Sequence, residues 1–187
     1  MKFGRGLITR DAFQAKSVLE VGVGPYFPSE PLYRCSNVSS VVAADLLLPV
    51  VISSDSRIRR ITSDASSLAA VLKQDSCQFD FLIMSKVFNR MSIDQAKDLL
   101  VPLLDLDPGI ILIEEYKRRE TEFPFLGVDS LSGLFFELTN KYEGSIYRSS
   151  RIFAERYYEG NSSFRHRMRN LIQCKRDVLV LKKHKDP

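Results

Sequence analysis

Between residues 17 and 116, five short apolar runs alternate with longer amphipathic stretches. The runs are "SVLEVGV" (17–23), "SSVVAADLL" (39–47), the weaker "RIRRITSDA" (57–65), "FDFLIMSKVF" (79–88) and "PGIILIEEY" (108–116). They are continuous rather than strictly alternating, which suits parallel strands covered on both faces. In the third run the strand part is placed at 59–63. Between them, 66–76 carries apolar positions at helical spacing, with Ser66 or Ser67 near its cap. Residues 92–105 begin at a capping Ser92 and contain Pro102, which kinks or shortens that helix. Residues 130–142 read as a further helix.

This β-α-β rhythm predicts an α/β fold: a doubly wound, mostly parallel seven-stranded sheet with an antiparallel edge, in three α/β/α layers. The tail breaks the rhythm. "RIFAERYY" (151–158) and "NLIQCKRDVLVLKK" (170–183) both read as strands, pairing antiparallel across the loop 159–169. The expected organisation is one domain over 1–187, with a lead-in at 1–16, a ligand-binding core at 17–142 and antiparallel strands with a basic segment at 143–187.

Composition supports a soluble chain with a substantial core: 44% of the 187 residues are hydrophobic and 27% charged. "MKFGRGLITRD" has no apolar leader segment, and the longest apolar run, "VVAADLLLPVVI", is interrupted by Asp45. A membrane-spanning helix needs about 20 apolar residues, so this run is read as a buried element. Three cysteines (Cys35, Cys77, Cys174) with no CxxC spacing fit a reducing, cytoplasmic setting, and with two histidines no metal centre is expected. Residues 165–187 carry eight Lys/Arg against two acids, whereas the first 164 carry 19 against 21. That basic end, with Arg165, Arg167 and Arg169, is either a solvated terminus or a surface for RNA.

In an open α/β sheet, ligands bind outside the carboxyl ends of the strands. The first strand ends in Glu20-x-Gly22-x-Gly24, the second in Asp45, the third in Asp64-Ala65, the fourth near Met84-Ser85-Lys86 and the fifth in Glu114-Glu115-Tyr116. Glycines at 22 and 24 let a ligand approach the backbone. A carboxylate ending strand two can accept both hydroxyls of a ribose, and one a strand further out can accept from an exocyclic amine. The dinucleotide fingerprint G-x-G-x-x-G places a third glycine where this chain has Phe27, flanked by Pro25 and Pro28. Prolines also remove N–H groups that a pyrophosphate would use, and Glu20 would repel it. A ligand bearing an ammonium and a sulfonium suits that acid better.

"VLEVGVG", "VVAADLL", "ITSDASSL" and "FDFLIMSKVFNRMS", in this order, resemble the motifs of class I S-adenosylmethionine-dependent methyltransferases. The resemblance runs from about Ser17 to Tyr116, and "DVLVLKK" matches that fold's antiparallel seventh strand. It implies methyl transfer with S-adenosylmethionine as cofactor. Glu20, Gly22 and Gly24 would line the methionine moiety, Asp45 would bind the ribose, and Leu46 would pack beside the adenine. Asp64 and Ala65 would contact the adenine edge, and Met84 and Ser85 would lie under the reacting end. The Pro-Tyr-Phe-Pro loop departs from the small residue common in that family and implies a short or irregular first helix.

The acceptor is not legible. No Asp/Asn-Pro-Pro-Tyr/Phe follows strand four, and no Pro-Cys nucleophile is present. Lys16, Lys117 and Glu155 are candidate members of a ribose-methylating tetrad, but Ser85 stands where its aspartate is needed. Lys86, Asn89 and Arg90 follow strand four, where a substrate enters or a helix simply begins. The alternatives are an RNA-modifying enzyme, a non-catalytic partner-binding subunit, and the disfavoured nicotinamide-dependent oxidoreductase. With 16 residues before strand one, the site is expected to be open, or completed by a partner, an oligomer or a macromolecular substrate.

Overall fold

The computed structural model describes residues 15–23, 33, 37–45, 55–63, 65–74, 78–88, 91–116, 126–148 and 176–184. Seven strands form one sheet: β1 (Ser17–Val21), β2 (Ser40–Asp45), β3 (Ile58–Thr62), β4 (Phe81–Ser85), β5 (Ile110–Tyr116), β6 (Tyr142–Arg148) and β7 (Arg176–Lys183). Their spatial order is β3-β2-β1-β4-β5-β7-β6. The first five strands pair in parallel, and β7 runs antiparallel to both β5 and β6. Chain order reverses at β1, which lies between β2 and β4.

The expected burial on both faces is present. Val18, Leu19 and Val21 are fully buried although they point alternately up and down. One face carries Leu19, Val21, Val42, Ala44, Leu82, Met84, Ile111 and Ile113. Helices α1 (Ala65–Gln74), α2 (Ile93–Leu104) and α3 (Val128–Leu138) cover it. The other face carries Val18, Val41, Ala43, Phe81, Ile83 and Leu112, packed with Ala15, Tyr33 and Val38. All three described helices lie on the first face, and the stretches expected to cover the second are largely outside the described residues. Among the described residues, no helix is long and apolar enough to cross a membrane.

Helix α2 shows how local sequence sets its ends. The Ser92 Oγ accepts from the Gln95 N–H at 3.2 Å, and Gln95 Oε1 accepts from the Ser92 N–H at 2.9 Å. This reciprocal capping box satisfies two orphan donors. Ala96, Leu99, Leu100 and Leu103 form its buried stripe. Pro102 lies inside the helix, close enough to the end that the helix continues only to Leu104.

The tail corrects one expectation. The helix read at 130–142 occupies Val128–Leu138, and Thr139 is already extended. Residues 142–148 form strand β6 instead, whereas 151–158 lies outside the described residues. The ambiguity is physical. Leu138, Tyr142 and Ile146 continue a helical i, i+4 stripe, yet Tyr142, Gly144 and Ile146 equally share one strand face. Pairing with β7 decides it, and the Tyr142 hydroxyl fastens the start of β6 to the Pro108 carbonyl at 2.8 Å.

Candidate cofactor site

Strand β1 delivers Glu20 and then the turn. Glu20 faces the same side as its register partners Ala43 and Ile83 and is only 4% exposed. An ionised carboxylate is rarely buried without hydrogen bonds. Here the Tyr33 hydroxyl donates to Glu20 Oε2 at 2.6 Å, within the range of charge-assisted bonds. Tyr33 is buried too, and its carbonyl accepts from Arg57 Nη2 at 3.3 Å. Arg57 also donates to the Val38 carbonyl and forks onto Asp55, at 2.7 Å and 3.0 Å. The Asp55 hydrogen bond raises the Arg57 pKa further, so the clamp stays charged. The segment between β1 and β2 is thereby fastened to the start of β3.

Gly22 adopts φ +81°, a conformation that side-chain-bearing residues rarely adopt. Its N–H and that of Val23 both donate to the Ala44 carbonyl, at 2.9 and 3.3 Å, turning the chain over β2. A Cβ on Gly22 would stand 2.6 Å from the Ser85 carbonyl oxygen and 2.7 Å from Val87 Cγ2. The loops after β1 and β4 are therefore interlocked at this glycine. The turn requires glycine for its own packing, whatever ligand it meets.

Asp45 ends β2, 8% exposed, on the face shared with Val41 and Ala43. Extending the β1–β2 register one step beyond Val21–Ala44 sets Asp45 beside Gly22. Its carbonyl accepts from the Ser63 N–H at 3.2 Å, so β3 also ends here. Ser85 ends β4, and its hydroxyl donates to Glu114 Oε2 at 3.0 Å across the β4–β5 pair. Lys86 follows at φ 59°, with its N–H on the Glu114 carbonyl.

The structure thus brings Glu20, Gly22, Asp45 and Ser85 to the carboxyl ends of neighbouring central strands. Met84 is wholly buried, with its side chain on the helix-covered face. Ala65 is the first residue of α1. Gly24, Leu46 and Asp64 lie outside the described residues, as do Pro25, Phe27, Pro28, Asn89, Arg90, Lys117, Glu155, Arg165, Arg167 and Arg169. Among the described residues, no group of three or more His, Cys, Asp or Glu could hold a metal ion.

The placement of two residues here was not read from the sequence. Tyr33 lies 13 residues beyond Glu20, and nothing in the sequence pairs them. Glu115 reads as a strand-end acid that either faces substrate or is solvated beside Glu114, yet it is 1% exposed and accepts from the Phe88 N–H at 2.8 Å. Burial pushes its pKa up to about 7; the Phe88 and Val87 N–H groups oppose that shift.

At the opposite, amino-terminal ends of β1, β4 and β5 lies an open groove of about 890 Å³, lined by Lys16, Asp80, Asp107, Lys182 and Lys183 among others. There Asp80 accepts from the Lys16 and Ser17 N–H groups, and Asp107 pairs with Lys183 and Lys141. Those pairings hold loops together, away from the strand ends where this architecture binds ligands.

No protein-family model matches the sequence, and a search of curated proteins finds no match either. Solved structures do match. Phosphoethanolamine N-methyltransferase 2 of Haemonchus contortus, bound to phosphomonomethylethanolamine and S-adenosylhomocysteine, superposes with a TM-score of 0.64 at 12% identity. That match covers 98% of this chain and 53% of that one, so the chain spans about half the length of this neighbour. The methyltransferase domain of bacterial CtHen1 gives 0.65 at 11% identity, over 96% of each chain. Magnesium protoporphyrin IX methyltransferase of Synechocystis PCC 6803, with bound S-adenosylmethionine, gives 0.61 at 13% identity, over 95% of this chain and 75% of that one. The fold is that of the class I S-adenosylmethionine-dependent methyltransferases. Within this fold the sheet end at β1, where chain order reverses, carries Glu20, Gly22 and Asp45.

Proposed function

We propose that the chain binds S-adenosylmethionine and transfers its methyl group to an acceptor seated over the ends of β4 and β5. The observation that carries this reading is the buried Glu20 beside the glycine turn, with Asp45 one strand away at the same sheet end. A buried carboxylate at that place repels a pyrophosphate and attracts the ammonium of a methionine moiety. This weighs against a nicotinamide dinucleotide. The neighbours solved with S-adenosylmethionine or S-adenosylhomocysteine share the fold and support the same choice.

In this reading Asp45 accepts both ribose hydroxyls, and Gly22 and Gly24 let the methionine moiety lie against the backbone. The Tyr33 hydroxyl bond helps to fix the Glu20 carboxylate at this sheet end. Leu46 packs beside the adenine, whose edge meets Asp64 and the backbone at Ala65. The bound cofactor supplies an activated methyl on a sulfonium, so the chain's own work is alignment. Ser85, tied to Glu114, forms the floor beneath the reacting end.

A thermal-shift comparison separates the readings. S-adenosylhomocysteine at a hundredfold excess over its Kd should stabilise the protein by about 2.7 kcal/mol. NAD(H) should leave the melting temperature unchanged. The converse pattern contradicts the proposal.

A further inference from the structure

Strand β5 ends in two adjacent acids that face opposite sides of the sheet. Glu114 points to the Ser85 side. Glu115 points into the helix-covered side, in line with Ile111 and Ile113, and is 1% exposed. A carboxylate there costs desolvation energy and offers the apolar core nothing in return. What it does make is specific. Oε1 accepts from the Phe88 N–H at 2.8 Å, the Val87 N–H further favours its ionised form, and Oε2 has no hydrogen-bond partner.

Val87 and Phe88 belong to the loop that leaves β4 towards α2. That loop has an unusual backbone, with Lys86 at φ 59°. Val87 Cγ2 fills the space where a Cβ on Gly22 would be, 2.7 Å from it. The Phe88 side chain is wholly buried, so the loop is fixed at both its backbone and its tip. An unbroken series of contacts thus runs from the Glu115 carboxylate through Val87 and Phe88 to the glycine turn after β1.

We propose that Glu115 is a positioning residue for the cofactor site: its buried carboxylate holds the loop after β4 against Gly22. This rests on the cofactor reading above and goes beyond it, since Glu115 itself would touch neither cofactor nor acceptor. The role explains why an acid is kept in this place. An apolar residue would fill the volume but would leave the Phe88 N–H inside the protein without its acceptor. The charged groups around Glu115 are Glu114 on its own strand, Lys86 in the loop and Asp177, its cross-strand partner on β7. Burial is the main reason that Glu115 ionises near neutrality, with Glu114 adding to the shift and Lys86 opposing it, and the grip on the loop changes with its ionisation.

The test compares Glu115→Gln with Glu115→Leu by calorimetric titration with S-adenosylhomocysteine at pH 8. Glutamine keeps a carbonyl acceptor for Phe88 and should stay within about threefold of wild type. Leucine removes the acceptor and should weaken binding about tenfold or more; the buried charge it removes offsets the unpaired Phe88 N–H, so the variant should remain folded. A folded leucine variant that binds as tightly as wild type overturns the proposal. A second measurement needs no variant: in the wild-type protein the Phe88 amide nitrogen resonance should shift as pH moves from 5 to 9. A resonance that stays fixed overturns the proposal whether or not the leucine variant folds. Wild-type protein that takes up no S-adenosylhomocysteine contradicts the cofactor reading instead, and the Phe88 amide then still decides what Glu115 holds.

Discussion

The Tyr33 hydroxyl donates to Glu20 Oε2 at 2.6 Å, joining two buried side chains 13 residues apart in the chain. This bond sets the direction of the acid assigned to the methionine moiety. Tyr33→Phe keeps the ring and deletes only the donor. Hydrogen bonds to charged groups are worth about 1.5–3 kcal/mol, so a stability loss of that size is expected in urea unfolding. S-adenosylhomocysteine affinity should fall as well. An unchanged unfolding midpoint would show that the bond contributes nothing.

Gly22→Ala should be harmful without any ligand. The left-handed conformation at φ +81° costs a substituted residue about 1–2 kcal/mol. The new Cβ would also press on the Ser85 carbonyl oxygen, backbone that cannot move as a flexible side chain could. A combined loss of roughly 2–5 kcal/mol is expected in equilibrium unfolding of the ligand-free protein. A variant that is as stable as wild type yet loses ligand binding would contradict the structural account of this glycine.

Stability should fall as pH rises from about 4.5 to about 7, through Glu115. Its pKa is raised from 4.5 to about 7, with burial as the main cause. In that window the native state keeps a proton that the unfolded chain has released, so raising pH favours unfolding. At about 1.4 kcal/mol per unit, the full effect is on the order of 3 kcal/mol. Asp107, whose pKa is lowered by the Lys183 hydrogen bond, acts in the opposite direction but only at more acid pH. Denaturant melts at pH 5 and pH 8, wild type against Glu115→Gln, check this. The wild type should lose stability over that interval and the variant should not; parallel behaviour refutes it.

Ser92→Ala breaks the capping box of α2 and should cost about 1 kcal/mol. Ser92 caps the helix five residues beyond Val87, so any fall in S-adenosylhomocysteine affinity should be small beside that of Glu115→Leu. This variant therefore calibrates how far stability loss alone affects ligand binding in the variants above.

Six of the seven described strands could be read from the sequence; β1, β2 and β4 are buried almost throughout, and a run such as "FDFLIMS" has no competing pattern, whereas β3 is half exposed and its run is correspondingly weaker. Strand β6 could not. Its apolar positions at 142 and 146 satisfy two periods, and only pairing with β7 chooses between them. The acids at the strand ends were legible because a parallel sheet places successive carboxyl ends side by side. Tyr33 was not, since no sequence spacing pairs it with Glu20, 13 residues earlier. Glu115 was misleading: two adjacent acids look equally solvated in a sequence, but the pleat sends one of them into the core.

The central claim is that the acids at this sheet end form an S-adenosylmethionine site, with Asp45 holding the ribose. Calorimetric titration of wild type and Asp45→Ala with S-adenosylhomocysteine tests it most directly. Asp45 would accept two hydroxyls through a charged group, so its loss should weaken binding by roughly 2–3 kcal/mol, or about 30- to 150-fold. Measurable binding by wild type with that loss in the variant is the predicted result. Absence of binding by wild type, or equal affinity in both proteins, would contradict the account.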